Sequence, residues 1–404
     1  MASYLHPFNN LDDFTNGAFH STITAYCTLH EIAWKNKDRT ALFENVVGSE
    51  SYKSLQLIAP LVGGKQKRLL VTTEYKTALS DAKLWFNGQE VPRTTFTQDE
   101  SHWMPAVHED PQMDSDDKGE DLHMGTDKGP DWPTSSEPQG VFIVCGIPGI
   151  GKSCFLYYVL VERLLANLPT CFQTHPNDFT YWCDKGVFQC TMERVRLGFV
   201  IPSDVWFLLD SNQEVKAPDP DILNTYARVI QAASPRKDRL DWARKENQQP
   251  YTWIMKPSPL PELLIMRHFW APKPTVEEVT EFVANYGPSA RSIIGFARQP
   301  NRYRAILKEI TAGMTLEKLE QLLKKLHRLD AVDEAISHRI LGIYPGEERI
   351  DRTLGFHTSE IYRLVKEAFG RSWDAQRMFA MFNSVGQTRG TAGHLLEDIT
   401  GRRC

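Results

Sequence analysis

The chain has 404 residues, of which 41% are hydrophobic and 24% are charged, and its formal net charge is −5 at pH 7. This length is enough for two or three domains with sizeable cores. The negative charge excludes a protein that coats nucleic acid by bulk charge, although it leaves room for a local basic patch.

The sequence carries no sign of export or membrane insertion. The N-terminal stretch MASYLHPFNNLDDF has neither the basic segment nor the apolar segment of a signal peptide. No apolar run reaches the ~18 residues that span a bilayer. The 7 cysteines are scattered, without a Cys-x-x-Cys pair or a zinc-ligand spacing. We therefore expect an intracellular protein, cytoplasmic or nuclear, with reduced thiols and no membrane partner.

Two segments precede the part of the chain that carries chemical motifs. Residues 1–107 are predicted to form a small α+β region, in which KRLLVTTEY at 67–75 indicates a strand that runs into a helix. Residues 108–139 are acidic, rich in Gly, Pro and Ser, and nearly free of aliphatic side chains, so we predict a disordered linker. An acidic tract can also mimic nucleic acid or bind a basic partner, but the pattern favours a plain solvated linker.

The most informative motif is GIPGIGKS at 146–153, which we call the glycine loop. It matches the phosphate-binding pattern G-x-x-x-x-G-K-[ST] in full. Its glycines permit the tight turn in which successive backbone N–H groups face one phosphate chain. Lys152 would bring a positive charge to the β- and γ-phosphates, and the Ser153 hydroxyl would coordinate Mg²⁺. The predicted nucleotide-binding residues are Gly146, Ile147, Pro148, Gly149, Ile150, Gly151, Lys152, Ser153 and Cys154.

The flanks of the glycine loop fit the same interpretation. GVFIVC at 140–145 is a short apolar run of β-formers, and KSCFLYYVLVERLL at 152–165 has helical character. A strand, a glycine loop and a helix start in this order place an anion at a helix N-terminus. The alternative, a glycine turn that merely joins a buried strand to a helix, is less favoured because both flanks match.

Residues 140–272 alternate between strand-like and helix-like segments. After the first helix, residues 179–192 read as strand, turn and strand, and VWFLLD, ARVIQAAS and YTWIMKP are further short apolar strands. Unbroken apolar strands between helices indicate a parallel sheet that is buried on both faces. The predicted fold class is therefore α/β, with the glycine loop in the nucleotide-binding core.

Asp210 is the second predicted component of the site. It ends the strand VWFLLD, which we expect beside the strand of the glycine loop, where its carboxylate would hold Mg²⁺ directly or through water. The alternative is a turn residue, since Asp-Ser-Asn is also turn chemistry. Ser211 occupies the position at which many ATPases with this strand order carry a general-base Glu, and Glu214 follows shortly after. Hydrolysis is therefore expected to be slow, or the chain is a nucleotide-gated switch.

Two more residues extend the predicted site. Ser234 ends the strand ARVIQAAS, where a hydroxyl would orient a water near the γ-phosphate, although a helix cap or a turn before Pro235 is an equal alternative. Arg291 lies in YGPSARSIIGFA, where a Gly-Pro element runs into a helix and would aim the arginine at the γ-phosphate. The alternative for Arg291 is a solvated helix residue. The predicted catalytic set is Lys152, Asp210, Ser234 and Arg291.

From residue 273 the sequence becomes helical. TVEEVTEFVANYG, RYRAILKEITAG and LEKLEQLLKKLHRL have apolar residues at i, i+3 and i+4 spacing, and AVDEAISHRILGIY extends the same pattern. We predict a helical lid domain over 273–345, docked on the nucleotide core. Residues 346–404 are a mixed C-terminal segment.

Taken together, the segments GIPGIGKSCFLYYVLVERLL, VWFLLDSN and QAASPRKDRLDWARKENQQPYTWIMKPSPLPELLIMR resemble the P-loop NTPase module of the Crinkler and retrotransposon-hot-spot (RHS) effector families. The resemblance covers residues 140–298 and continues weakly to the C-terminus. Beyond the glycine loop and Asp210, it rests on Ser234, Pro235, Arg236, Trp242 and Met255.

This resemblance implies an AAA/STAND-like parallel sheet flanked by helices, with ATP and Mg²⁺ as ligands. It also implies a role in host-directed effectors, in conflict systems or with transposon-associated DNA. Nucleic acid or chromatin proteins would then be the partners, and the protein could be secreted into a host. The chain departs from the family in two respects. Residues 1–105 contain no identifiable ubiquitin-like header. The resemblance also implies a C-terminal nuclease of the restriction type, whereas residues 389–404 resemble only the opening of such a domain, with Glu397 at its early acidic position, so we expect no nuclease activity.

Three functions compete at this point. The first is an ATP-binding and ATP-hydrolysing module. The second is a non-hydrolysing nucleotide-dependent switch or scaffold, which the absence of a Glu after Asp210 favours. The third is a small-molecule kinase, which shares the glycine loop but for which the sequence offers neither an acceptor pocket nor an arginine-rich lid.

Overall fold

The computed structural model describes residues 19–21, 23–46, 49–58, 67–92, 131–133, 140–196, 201–202, 204–240, 242, 250–328, 338–346, 348–370, 376–378 and 382. Most of the predicted linker lies outside these residues. The predicted nuclease-like segment at 389–404, with Glu397, lies outside them entirely.

The N-terminal region combines helices with a small antiparallel sheet. Its sheet has three strands, and the strand-to-helix prediction for residues 67–75 is confirmed, since the third strand ends at Val71 and the Thr72 hydroxyl caps the helix that follows. The elements are β1 (Phe19–His20), α1 (Thr24–His30) with a π-helical turn (Glu31–Lys35), α2 (Arg39–Leu42), β2 (Phe43–Val46), β3 (Ser49–Gln56), β4 (Arg68–Val71) and α3 (Thr73–Phe86).

The core alternates strands and helices, as the sequence predicts. Its elements are β5 (Val141–Cys145), α4 (Lys152–Leu165), β6 (Thr170–Gln173), β7 (Asp178–Cys183), β8 (Gly186–Thr191), α5 (Met192–Arg196), β9 (Trp206–Asp210), α6 (Pro220–Leu223), β10 (Arg228–Ala233), α7 (Lys237–Leu240), β11 (Tyr251–Ile254) and α8 (Leu260–Met266) with a 3₁₀ turn (Arg267–Phe269).

These strands form one eight-stranded sheet in the order β1-β8-β7-β6-β9-β10-β5-β11. The five strands from β6 to β11 are parallel, and β7, β8 and β1 extend the sheet as an antiparallel edge. Every residue of β5 and of β10 is buried, because helices cover both faces of the sheet. The chain therefore has a mixed α/β fold with a mostly parallel sheet.

The expected position of β9 is wrong in one respect. We placed it beside the strand of the glycine loop, whereas β10 lies between β5 and β9. The register nevertheless keeps their carboxyl ends level, since Ala233 pairs with Cys145 on one side and Ala232 pairs with Asp210 on the other. Asp210 therefore still lies at the sheet edge from which the glycine loop emerges.

The helical region after residue 273 also follows the prediction, with one exception. Its helices are α9 (Val276–Tyr286), α10 (Ala290–Phe296), α11 (Pro300–Ala312) and α12 (Leu316–Arg328), and we call these four the lid. A capping box between Thr275 and Glu278 starts α9. No helix among the described residues has the length and apolar character needed to cross a membrane.

The exception is the end of AVDEAISHRILGIY, which we predicted to be helical. Residues Leu341–Pro345 form β12, which pairs antiparallel with β13 (Arg352–Phe356), and α13 (Ser359–Phe369) follows. Ile343 and Leu354 are directly opposed in this hairpin, and both are buried. Cross-strand burial of β-branched and aliphatic side chains thus overrides the helical spacing.

One residue pair from the predicted linker is anchored to the core. Trp132 packs edge-on against Trp206 with ring centroids 5.2 Å apart, and the Lys83 ammonium lies 3.9 Å from the Trp132 ring centroid. The Asn87 amide also donates to the Asp131 carbonyl. The sequence did not indicate this contact, because a single tryptophan in an acidic stretch has no periodicity.

The N-terminal region, the sheet and the C-terminal hairpin meet at a buried ion pair. Arg349 donates to both carboxylate oxygens of Glu74, at 2.6 and 3.0 Å. The Lys256 backbone N–H donates to the same carboxylate at 2.6 Å, and the Ile254 N–H donates to the Arg349 carbonyl at 2.8 Å. Burial raises the pKa of Glu74, and the Arg349 charge opposes that shift. Three distant segments are thereby held as one unit.

We expect Glu74→Gln to lower the free energy of unfolding by about 3 kcal/mol, because it leaves the Arg349 guanidinium buried without a counter-charge. Urea denaturation followed by tryptophan fluorescence measures this. Glu31→Gln, which removes the exposed Lys35–Glu31 pair, is the matched control and should have little effect. Equal effects of the two substitutions would show that the buried pair does not hold these segments together.

Candidate functional site

The glycine loop connects β5 to α4 at the carboxyl edge of the sheet. Gly149 and Gly151 have φ values of +84° and +104°, a conformation that side chains disfavour, and Gly151 is the residue immediately before α4. Ile147 and Ile150 are buried in the core and anchor the loop. The first backbone N–H groups of α4 have no partner within their own helix, so they are available at the loop.

Lys152 points back into the glycine loop. Its ammonium donates to the carbonyls of Gly146 and Ile147 at 2.8 and 2.9 Å, and the side chain is only 8% exposed. Burial is the main reason why the pKa of Lys152 is lowered to about 8, and the positive charges of Arg291 and Arg239 act in the same direction. A ligand with negative charge would relieve this shift.

Ser153 and Asp210 are brought into contact, although 57 positions separate them. The Ser153 hydroxyl donates to Oδ1 of Asp210 at 2.8 Å. Burial raises the pKa of Asp210, while the hydrogen bond from Ser153 and the charge of Lys152 lower it. A carboxylate and a hydroxyl at this spacing are hard oxygen donors of the kind that Mg²⁺ prefers.

Among the described residues, no group of three or more His, Cys, Asp or Glu side chains could hold a metal ion. Mg²⁺ does not need such a group, since it is commonly held by one or two protein oxygens together with waters and substrate phosphates. The Ser153–Asp210 pair therefore fits Mg²⁺ only in the company of a phosphate ligand.

Ser211, which occupies the position of the missing Glu, and Glu214, which follows it, both lie in the turn after β9. The Ser211 hydroxyl donates to the Lys216 carbonyl at 3.3 Å and accepts from Nε2 of the buried Gln231 at 2.7 Å. Glu214 is exposed in the turn after β9, where its N–H donates to the Asn212 side chain. Ser211 thus has a structural role in a buried network, and Glu214 faces solvent.

Ser234 directly follows β10 and is partly buried. Since β10 separates β5 from β9, Ser234 lies between the glycine loop and Asp210 along the sheet edge. Its carbonyl accepts from the Arg236 N–H at 2.7 Å, which starts the turn into α7. Both earlier alternatives, a site hydroxyl and a turn residue, are compatible with this position.

The lid contacts the glycine loop directly through the start of α10. The Arg291 N–H donates to the Gly149 carbonyl at 3.3 Å, and the Ser289 hydroxyl donates to the Pro148 carbonyl at 3.3 Å. The Arg291 side chain is exposed, and its charge lowers the pKa of Asp210. The Gly-Pro element thus places the backbone of Arg291 beside the loop, and its exposed side chain is compatible with both earlier alternatives, an arginine aimed at a phosphate and a solvated helix residue.

Two residues at the site were missed by sequence reasoning. Arg239 in α7 is 6% exposed, and its charge lowers the pKa of both Asp210 and Lys152. Tyr75 in α3 donates its hydroxyl to the Gly151 carbonyl at 3.0 Å. Arg239 belongs to a charged run that reads as a solvated helix, and Tyr75 lies far from the loop in sequence, so neither gave a usable signal.

Cys154 was predicted to belong to the binding set. Its thiol is a hydrogen-bond partner of Tyr75, and burial raises its pKa to about 11. Burial thus favours the neutral thiol over the thiolate at this position.

No protein-family model matches the sequence, and no curated protein matches it significantly. The function of the site is therefore inferred from its own geometry. That geometry brings Lys152, Ser153, Asp210 and Ser234 to one edge of the sheet, with Arg291 on the lid beside them.

Gly149→Ala should loosen the lid, because a Cβ at this position would lie 2.6 Å from the Arg291 Cβ and 2.9 Å from the Ser289 hydroxyl oxygen. We expect faster amide hydrogen exchange in α10. Gly295→Ala is the matched control, since it lies in the same helix and its Cβ would meet nothing within 4 Å. Unchanged exchange in Gly149→Ala would mean that α10 does not depend on its contact with the loop.

Proposed function

We propose that this chain binds Mg·ATP at the glycine loop and hydrolyses it slowly, so that the nucleotide controls the position of the lid. The observation that carries the proposal is the 2.8 Å contact between Ser153 of the loop and Asp210 at the end of β9. It joins a hydroxyl and a carboxylate at the mouth of a loop that also holds a buried lysine.

The phosphate chain would be bound mainly by groups that already face the loop. The first N–H groups of the 14-residue helix α4 and its dipole favour an anion at this end. Lys152 now donates to two loop carbonyls, and phosphate oxygens would replace them as acceptors. Its ammonium would then be paired with a full negative charge in place of a carbonyl dipole.

Ser153 and Asp210 are the residues that would hold Mg²⁺, which when bound supplies positive charge to the β- and γ-phosphate oxygens. Desolvation makes the Asp210 carboxylate costly without a cation, as its raised pKa indicates. Lys152, Arg239 and Arg291 add positive charge around the same carboxylate. The site is thus arranged for an anionic ligand accompanied by a cation.

The hydrolytic step is proposed to be slow because Ser211, the residue after Asp210, is committed to the buried network with Gln231 and Lys216. A non-hydrolysing switch is the alternative that this observation favours. The two are separated by the rate of phosphate release relative to the affinity for ATP. A chain that binds Mg·ATP tightly but releases no phosphate would be the switch.

The lid is proposed to respond to the nucleotide through the start of α10. The backbone of Arg291 already contacts Gly149, so a phosphate-induced change in the loop reaches the lid without an intervening side chain. The charge of the exposed Arg291 side chain acts on Asp210, and it would neutralise the terminal phosphate.

We also propose that the chain is related to Crinkler and RHS proteins and that its partner is a nucleic acid or a chromatin protein. One feature supports an anionic partner: between Glu281 and Glu309 the lid has no acidic residue but contains Arg291, Arg298, Arg302, Arg304 and Lys308, of which Arg304 is paired with Glu360 at 3.4 Å. Titration of labelled DNA and RNA with and without ATP tests it, and absence of binding in both states would refute it.

Lys152→Ala should weaken Mg·ATP binding roughly a hundredfold, because it removes the charged donor to the phosphates.

Asp210→Asn should weaken Mg·ATP binding but leave magnesium-free ATP binding nearly unchanged, because it keeps the shape and removes the cation ligand. Isothermal calorimetry measures both. Lys308→Ala, an exposed lysine of α11, is the control for loss of general charge. Wild-type affinity in Lys152→Ala would refute the nucleotide site.

The affinity for Mg·ATP should fall as pH rises through about 8, the pKa to which burial lowers Lys152. Phosphate oxygens favour the ammonium, so its pKa is higher in the complex than in the free protein. The complex then binds more protons, and the affinity falls by up to about tenfold per pH unit above that value. Calorimetry from pH 6.5 to 9.5 would record this. The residual affinity of Lys152→Arg should not show the same fall.

A further inference from the structure

Tyr75 connects the N-terminal region to the glycine loop. It lies in the first turn of α3, and its hydroxyl donates to the Gly151 carbonyl at 3.0 Å. The same carbonyl accepts the first hydrogen bond of α4, from the Phe155 N–H at 2.9 Å. The carbonyl that begins the helix of the phosphate site is therefore held from two sides.

The tyrosine and the glycine are shaped to fit each other. A Cβ on residue 151 would overlap the Tyr75 hydroxyl, and the φ of +104° at Gly151 disfavours a side chain independently. The Tyr75 ring is 4% exposed and packs against Phe155 and Tyr158 of α4, with ring centroids 6.1 and 6.3 Å apart. The hydroxyl therefore has little freedom to move away from the loop.

The turn of α3 that carries Tyr75 is anchored on both sides. Glu74 is paired with Arg349 and accepts from the Lys256 N–H, and the Thr73 N–H donates to the buried Glu262 carboxylate at 3.3 Å. Further along α3, Asp81 accepts from the Trp253 indole N–H at 2.8 Å. These partners belong to the sheet, to α8 and to the C-terminal hairpin, so the position of Tyr75 is fixed against the core.

The planarity of the peptide bond turns this contact into an orientation of the phosphate donors. The Gly151 carbonyl and the Lys152 N–H belong to one trans peptide unit, so they point in opposite directions. Tyr75 and Phe155 hold the Gly151 carbonyl so that it points into α4. The Lys152 N–H therefore points the other way, toward the glycine loop. That N–H is one of the donors without a partner in its own helix.

We propose that Tyr75 is a positioning residue of the nucleotide site: its hydroxyl fixes the peptide plane between Gly151 and Lys152, so that the N-terminal region forms part of the phosphate-binding apparatus. This inference rests on the proposed function, because it assumes that phosphates bind at the loop. It assigns a role in the site to a region in which the sequence shows no chemical motif.

The test compares two tyrosines that undergo the same chemical change in the full-length chain. Tyr75→Phe removes the hydroxyl that contacts the loop. Tyr157→Phe is the matched control, because the Tyr157 hydroxyl of α4 donates to the Gln56 carbonyl at 3.2 Å and accepts from the Ile58 N–H at 3.1 Å, away from the loop. Lys152→Ala serves as the reference for loss of the site. Calorimetric Kd values for Mg·ATP and Mg·ADP and the melting temperature without nucleotide are measured for all four proteins.

We expect Tyr75→Phe to raise the Kd of both nucleotides by about five- to tenfold, the loss of one well-placed hydrogen bond, and by the same factor because both present a β-phosphate. Tyr157→Phe should stay within about twofold of the wild type. The two variants should have similar melting temperatures, which separates positioning from general stability.

Three results would overturn the inference. If Lys152→Ala abolishes binding while Tyr75→Phe leaves it unchanged, the nucleotide site stands and the role of Tyr75 is refuted. If both tyrosine variants weaken binding equally, in proportion to lost melting temperature, the effect is one of stability only. If Lys152→Ala binds like the wild type, the proposed function fails, and the role of Tyr75 fails with it.

Discussion

The arrangement of this protein depends on the register of three parallel strands, β5, β10 and β9. Because their carboxyl ends are level, the glycine loop, Ser234 and Asp210 emerge at the same edge although β10 separates the other two strands. A shift of β10 by one residue would reverse the faces of its side chains and move the buried Gln231, whose amide fixes the turn after Asp210. The contact between Ser153 and Asp210 is thus a consequence of strand pairing, since neither residue is near the other along the chain.

The second general feature is buried charge, which occurs in two forms: a matched ion pair and the charges around the glycine loop. Glu74 and Arg349 form a bidentate pair in which each charge is matched, so their role is to hold segments together. Around the glycine loop the charges are not matched in the same way. Lys152 donates to backbone carbonyls and Asp210 accepts from a hydroxyl. The positive charges of Arg239 and Arg291 lower the pKa of both groups. The buried charges of Lys152 and Arg239 therefore carry a desolvation cost, and an anionic ligand would reduce it.

The sequence predicted the parts of the site that are local. The glycine loop, the acidic end of β9, the polar end of β10 and the Gly-Pro start of α10 each have a signature within a few residues, and the structure brings them together. The parts that it did not predict depend on contacts between distant segments. Tyr75, Arg239 and the Glu74–Arg349 pair have no local pattern that distinguishes them from ordinary helix residues. Hydrophobic spacing does not encode strand order, so it could not show that β10 lies between β5 and β9. It also could not show that residues 341–345 form a strand, because that strand is stabilised by its partner β13.

The ion pair between Glu74 and Arg349 also has a consequence for biosynthesis. Its partners are 275 residues apart in the chain. At roughly 5 to 20 residues per second, a ribosome would need about 14 to 55 seconds to make the second partner after the first. During that interval the first turn of α3 lacks the contact with Arg349, and β11, once it has been made, lacks its hydrogen bond to the Arg349 carbonyl. The first turn of α3 therefore reaches its final contacts only after residue 349 has been synthesised, and chaperone protection of the nascent chain would be most important in this window.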